Sequence, residues 1–182
     1  TGKGRMAEPE DIVSQLDIHF QKIQDLVNKT VLITAGPTYE ALDPVRFIGN
    51  PSSGKMGIAI AEACAERGAA VKLILGPSKL QAQHENIETI RVKSGKEMYD
   101  SAKAYHQNSD VVIFAAAVSD YKPKIQSDQK IKKSSDNLTL ELVRTIDIAK
   151  TLGAEKKNNQ VHIGFALETN REEEHAQKKL LK

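Results

Sequence analysis

One cysteine, Cys64, stands in 182 residues, which excludes a disulfide within the chain and makes a buried, reduced thiol the expectation. Net charge is nearly absent as well: 26 Lys and Arg against 24 Asp and Glu leave +2. Bulk electrostatics therefore calls for no nucleic-acid partner, and any basic site must be local. The histidines, His19, His84, His106, His162 and His175, are scattered without metal-ligand spacing. No apolar run reaches the length of a bilayer span and no secretory leader is visible, so the expected setting is the cytoplasm, away from membranes. The length suits one domain with a sizeable core.

What is present centres on Gly49-Asn50-Pro51-Ser52-Ser53-Gly54-Lys55-Met56-Gly57. A helix is predicted over 55–67, with Met56, Ala59, Ile60, Ala63 and Cys64 as its apolar stripe and Gly68 as its stop. Small polar residues before its first turn leave free amides at the positive end of the helix dipole, a setting for a phosphate or carboxylate. Ser52 and Ser53 add hydroxyls, and a plain loop with no ligand is the alternative. Gly49 to Lys55 fits the start of a P-loop, but Met56 stands where Ser or Thr must hold Mg²⁺, and the nearest strand ends near Ala35. A dinucleotide fingerprint lacks its first glycine.

The chain order reads as alternating strands and helices. Residues 1–28 form a lead-in with a docking helix over Asp11–Leu26. Strands are expected at 30–35, 70–75, 87–92, 110–117, 138–143 and 160–167, and helices at 94–106, 146–152 and 170–182. Ser94 and Glu97 make a capping box. Residues 36–53 and 118–133 are expected as loops. This pattern is an α/β fold, Rossmann-like, with a mostly parallel sheet and helices on both faces. Ligands then bind beyond the carboxyl ends of the strands, where 36–55, 117–133 and 167–170 converge.

Within those loops, Lys130, Lys132 and Lys133 could cover a triphosphate, or form a solvated charged loop. Asp120, just past a strand end, could accept from ribose or base, hold Mg²⁺, or cap a turn. Phe165 reads as core rather than as a base-stacking platform. Tyr99 and Lys103 have the dehydrogenase spacing but read as a helix face.

Six segments in one order carry a resemblance: Ile33–Thr38, Asp43-Pro-Val-Arg-Phe47, Asn50–Gly57, Ala115-Ala-Ala-Val-Ser-Asp-Tyr121, Lys130-Ile-Lys-Lys133 and Gly164-Phe-Ala-Leu-Glu-Thr169. Together they resemble phosphopantothenate–cysteine ligases, the synthetase half of bacterial bifunctional coenzyme A biosynthesis flavoproteins, over residues 30–182. Gly4-Arg-Met-Ala-Glu-Pro9 resembles the closing segment of the upstream decarboxylase domain, so that residues 1–29 would be its tail and, over 10–29, a linker; a tag is the alternative for residues 1–5. The resemblance implies that a further C-terminal segment would follow Lys182, so that 30–182 is an incomplete ligase domain.

It implies a reaction in which 4′-phosphopantothenate attacks CTP, and L-cysteine then displaces CMP. It assigns Asn50 and Lys130 as catalytic. It places Ala115, Ala116, Asp120, Lys130, Ile146, Asp147, Ile148, Ala149, Phe165 and Lys179 at the nucleotide. It leaves Asn50, Ser52, Ser53, Gly54 and Lys55 to the acid substrate. Mg²⁺ with no identified ligands, a homodimer, a fused decarboxylase domain, and no FMN on this part are further implications. A Rossmann-type nucleotide-binding module or a short-chain-dehydrogenase-like NAD(P) enzyme are the alternatives.

Overall fold

The β-branched run after Lys29 becomes the centre of the molecule. In chain order the elements are α1 (Pro9–Phe20), β1 (Thr30–Pro37), β2 (Tyr39–Ala41), β3 (Phe47–Gly49), α2 (Lys55–Glu66), β4 (Ala70–Leu75), β5 (Ile87–Arg91), α3 (Gly95–His106), β6 (Val111–Ala117), β7 (Tyr121–Pro123), β8 (Leu142–Arg144), α4 (Ile148–Ala154) and β9 (Val161–Gly164). The computed structural model describes residues 6–20, 24–132 and 137–165.

Strands β5-β4-β1-β6-β9 form a sheet in that order, and every neighbouring pair is parallel. The chain builds outward from β1 through β4 to β5, then returns to β6 on the other side of β1. Strand order therefore reverses between β1 and β6, which opens a crevice at their carboxyl ends.

Side chains alternate across the sheet with period two. Val31, Ile33, Ala35, Val71, Leu73 and Leu75 pack with α2 on one face. Leu32, Ile74 and Val112 pack with Met98 and Ala102 of α3 and Ile148 and Leu152 of α4 on the other. Leu32, Ile33, Leu73, Ile74 and Leu75 are fully buried, each worth about 1.5–3 kcal/mol of apolar transfer. This is the expected α/β fold with helices on both faces.

Several local expectations change. The buried face of α2 is Gly57, Ile58, Ala61 and Ala65, whereas Met56, Ala59 and Ala63 of the predicted stripe are exposed and Ile60 and Cys64 only half-buried. The reason is distance: a Cβ on Gly57 would lie 2.4 Å from the Ala35 Cβ, so only small residues fit where the helix meets the sheet. Cys64 lies at the rim of that core, and burial pushes its thiol pKa up.

The loop expected over 36–53 contains an antiparallel hairpin, β2 with β3. The loop expected over 118–133 contains β7, which pairs with β8. The strand expected over 138–143 shrinks to β8, and Leu138 and Leu140 stay exposed. Helix α1 ends at Phe20 rather than at Leu26, and Leu26 packs instead against the core under α2. Among the described residues strand β9 is the outermost on its side of the sheet, with Val161 and Ile163 exposed. Phe165, expected in the core, lies beyond it and is 53% exposed. The helix expected over 170–182 lies outside the described residues.

Candidate active site at the strand-order reversal

The segment before α2 arrives at the crevice through two glycines. Gly54 has φ +76, and a Cβ there would sit 3.3 Å from the Gly36 Cα, so the loop lies directly on the end of β1. Gly57 then seats α2 on Ala35, with the Ala115 Cβ of β6 3.6 Å from its own missing Cβ. The helix start thus points at the gap between β1 and β6. No side chain caps it.

The other two helices of the sheet layer are capped internally. In α3, Ser94 and Glu97 form the expected capping box, and the buried Glu40 accepts from the Gly95 amide at 2.8 Å. In α4, Asp147 accepts from the Lys150 amide at 3.0 Å. The Ser52 and Ser53 hydroxyls accept locally from the Gly54 and Lys55 amides, both at 3.3 Å. Lys55 is exposed. A P-loop is excluded by connectivity as well as by Met56, because the β2–β3 hairpin separates β1 from the glycine segment.

Hydrogen bonds draw the separate segments together. The Asn50 amide donates to the Val118 carbonyl at 2.9 Å, tying the glycine segment to the end of β6. The fully buried Thr38 accepts from the Ser119 amide at 3.0 Å. The Thr145 hydroxyl donates to the Ser119 carbonyl, and the Thr145 amide to the Asp120 carbonyl at 2.9 Å. Asp120, itself exposed, is thereby held beside Ile146 and Asp147, the entry to α4.

Ala115 and Ala116 are half-buried. They extend past Phe114, the last β6 residue that β9 pairs. Ala116 and Ile146 pack on the α3–α4 side. Ile148 is buried in that core and Ala149 is exposed, so Ile148 can meet a nucleotide only through its backbone.

Lys130 lies on the outer loop and is exposed. Its neighbour Ile131 is gripped by the β2–β3 turn. The Ile131 amide donates to Asp43 Oδ2 at 3.1 Å, and Arg46 Nη2 donates to the Ile131 carbonyl at 3.0 Å. Hydrogen bonds from the Arg46 guanidinium, with support from the Val45, Arg46 and Ile131 amides, hold the Asp43 carboxyl far below the usual carboxylate range. Lys179 and Lys133 lie outside the described residues.

Thr38, Thr145 and Glu40 have no sequence signal, because each acts on a partner more than twenty positions away. The Asp43–Arg46 turn had one: an Asp three residues before an Arg in a Pro-containing turn. Tyr99, half-buried against the α3–α4 core, and the exposed Lys103 are a helix pair with Lys103 Nζ 3.3 Å from the Tyr99 hydroxyl.

Among the described residues no three His, Cys, Asp or Glu side chains cluster to hold a metal ion, and no helix is long and apolar enough to cross a membrane.

The chain is 49% identical over 181 residues to the bifunctional coenzyme A biosynthesis protein CoaBC of Bacillus subtilis, covering 98% of this chain and 44% of that protein. It is 48% identical over 184 residues to a cysteine/cysteine sulfinic acid decarboxylase from an unknown prokaryotic organism, covering 99% of this chain and 51% of that protein. The chain therefore spans about half the length of the curated relatives it matches. The crystal structure of the C-terminal domain of CoaBC superposes with a TM-score of 0.76 at 47% identity, over 87% of this chain and 74% of that one. Residues 26–182 match the family described as the DNA/pantothenate metabolism flavoprotein C-terminal domain. With that match laid over the sheet order and the crevice, the chain belongs to this family.

Proposed function

We propose that this chain joins 4′-phosphopantothenate to L-cysteine at the expense of CTP, as a step of coenzyme A biosynthesis. The observation that carries the reading is the convergence at the strand-order reversal of an uncapped helix start, the Asn50–Val118 tie and the Asp120–Thr145 junction. The coenzyme A biosynthesis relatives support it.

In the first step a carboxylate oxygen of the acid attacks the α-phosphorus of CTP. A P–O bond forms, the bond to the leaving oxygen breaks, and pyrophosphate departs. In the second the cysteine amine attacks the acyl carbon, CMP leaves with the C–O electron pair, and the amine gives up a proton. Both steps need position and charge stabilisation more than a protein nucleophile.

Asn50 keeps one amide hydrogen and its carbonyl oxygen free to meet the carboxylate and then the amine. Ala115, Ala116, Asp120, Phe165 and the Ile146–Ala149 backbone border the nucleotide, and Lys130 and Lys179 meet its phosphates. Ser52, Ser53, Gly54 and Lys55 face the acid. No three His, Cys, Asp or Glu side chains among the described residues cluster to hold a metal, so Mg²⁺ would come with the triphosphate and would supply charge neutralisation there. The enzyme works as a homodimer in the cytoplasm. Residues 1–29 are the tail of a fused decarboxylase domain and its linker, and FMN belongs to that domain.

The test is pyrophosphate release with CTP, 4′-phosphopantothenate and cysteine, leaving out one component at a time. Release should require the first two and not cysteine. Lys130→Gln should lower that release roughly 10²–10³-fold while stability stays within about half a kcal/mol. Nucleotide binding with no release under any combination would leave only a binding module.

A further inference from the structure

Residues 124–132 cross the surface without regular structure, yet their backbone is tied at three points. The Lys124 amide donates to the Glu141 carbonyl and the Ser127 amide to the Leu42 carbonyl, both at 2.9 Å. The third tie is the grip on Ile131, and it is built unlike the others.

The Asp43 side chain is fully buried although it belongs to a turn. Its Oδ1 accepts from the Val45 and Arg46 amides at 2.9 and 2.8 Å, which is all that the turn itself requires. Its Oδ2 accepts from Arg46 Nε at 3.0 Å, Arg46 Nη2 at 2.6 Å and the Ile131 amide at 3.1 Å. Arg46 Nη2 also donates to the Ile131 carbonyl at 3.0 Å.

Both peptide planes that flank Ile131 are therefore held from across the loop. The first of those planes begins at the Lys130 Cα. Fixing it sets where the lysine side chain leaves the backbone, in a loop without regular structure. The Asp43 charge is met by Arg46, so the grip adds no net negative charge beside an anion.

We infer that Asp43 is a positioning residue for Lys130, holding the lysine at the developing phosphate charge through the Ile131 peptide. This rests on the role proposed above for Lys130. A displacement of about 1 Å at a reacting centre is enough to lower a rate roughly 10²-fold. Loss of the grip should then appear in kcat of the first step rather than in KM.

The experiment compares Asp43→Asn, Lys130→Gln, the double variant and Ile131→Pro in the whole chain. It reads kcat and KM for pyrophosphate release, together with the melting temperature. Ile131→Pro removes the donated hydrogen, fixes φ at 131 and restricts the Lys130 backbone while leaving the 43–46 residues unaltered, so it reports even where Asp43→Asn folds poorly. Asp43→Asn and Ile131→Pro should each lower kcat about 10–10²-fold. Adding Asp43→Asn to Lys130→Gln should change kcat by less than about twofold, because the lysine to be positioned is gone.

Losses that multiply in the double variant would make Asp43 merely structural and overturn the inference. So would a kcat within about twofold of the unaltered chain for Ile131→Pro, with Lys130→Gln slow. An unaltered rate in Lys130→Gln would instead overturn the reading of Lys130 itself, and the role of Asp43 with it.

Discussion

His106 and His162 meet at the amino-terminal end of the sheet, away from the crevice, with their Nε2 atoms 3.2 Å apart. Gln160 Oε1, 3.0 Å from His162 Nε2, can only accept. Burial first, then repulsion from His106 and Lys156, lowers the His162 pKa to about 4. Burial also lowers that of His106, with Glu155 opposing and Lys157 assisting. Both rings are thus neutral when folded and take up protons more readily when unfolded. Stability from the pair is complete above the unfolded value of about 6.5 and declines as pH falls from there toward 4. The melting temperature should drop over that window, and His162→Gln should flatten the drop; an unchanged slope would remove the pair from the pH response. At the site, Asn50→Asp replaces a donor to the Val118 carbonyl with a second negative group. Binding of 4′-phosphopantothenate should weaken more than binding of CTP in calorimetry. Equal losses would mean that the loop had simply come away from β6.

At the scale of elements, the contact of α2 with β1 and β6 sets the crevice, and Gly57 decides it. Alanine is the better helix former by about 1 kcal/mol, which argues for a stabilising Gly57→Ala change. Its Cβ, however, would lie 2.4 Å from the Ala35 Cβ and 3.2 Å from the Ala35 Cα. Ala35 is fully buried on the central strand, so nothing can yield without moving the helix or the sheet. Overpacking of about 1–3 kcal/mol outweighs the propensity gain. Gly57→Ala should therefore unfold at lower urea than the unaltered chain, and a higher midpoint would refute the close contact.

Across the whole molecule, stability is concentrated in the parallel sheet and the helices α2, α3 and α4. Helix α1 exposes Ile12, Val13, Leu16 and Ile18. The fold proper is joined later, at Gln24, which donates to the Glu66 carbonyl at 2.9 Å, at Asp25, paired with Arg67, and at Leu26, packed under α2. Removing residues through Leu26 should lower the unfolding free energy, by less than the roughly 2–5 kcal/mol of a fully buried leucine because Leu26 is half-buried. A urea melt of the shortened chain against the full one checks it, and an unchanged midpoint would mean that Leu26 adds nothing to the core.

The sequence by itself determined the parallel core, because runs such as Val31–Ala35, Val71–Leu75 and Val111–Ala117 are apolar, β-branched and bounded by turn residues, and nothing but a doubly covered strand suits them. It also determined the capping box of α3, a purely local device, and marked the candidate site through short motifs. Only the tertiary structure decided which face of α2 goes inward: hydrophobicity favours Met56 and Ile60, while close approach selects Gly57, Ala61 and Ala65. The short hairpin strands were beyond reading, since three residues carry no usable period and β7 finds β8 about twenty positions on. The meeting of Asn50 with Val118, Asp120 with Thr145, and Asp43 with Ile131 was beyond it too. Each bond joins segments that only the sheet order brings side by side, and the free energy that selects such partners belongs to the packed core rather than to either segment alone.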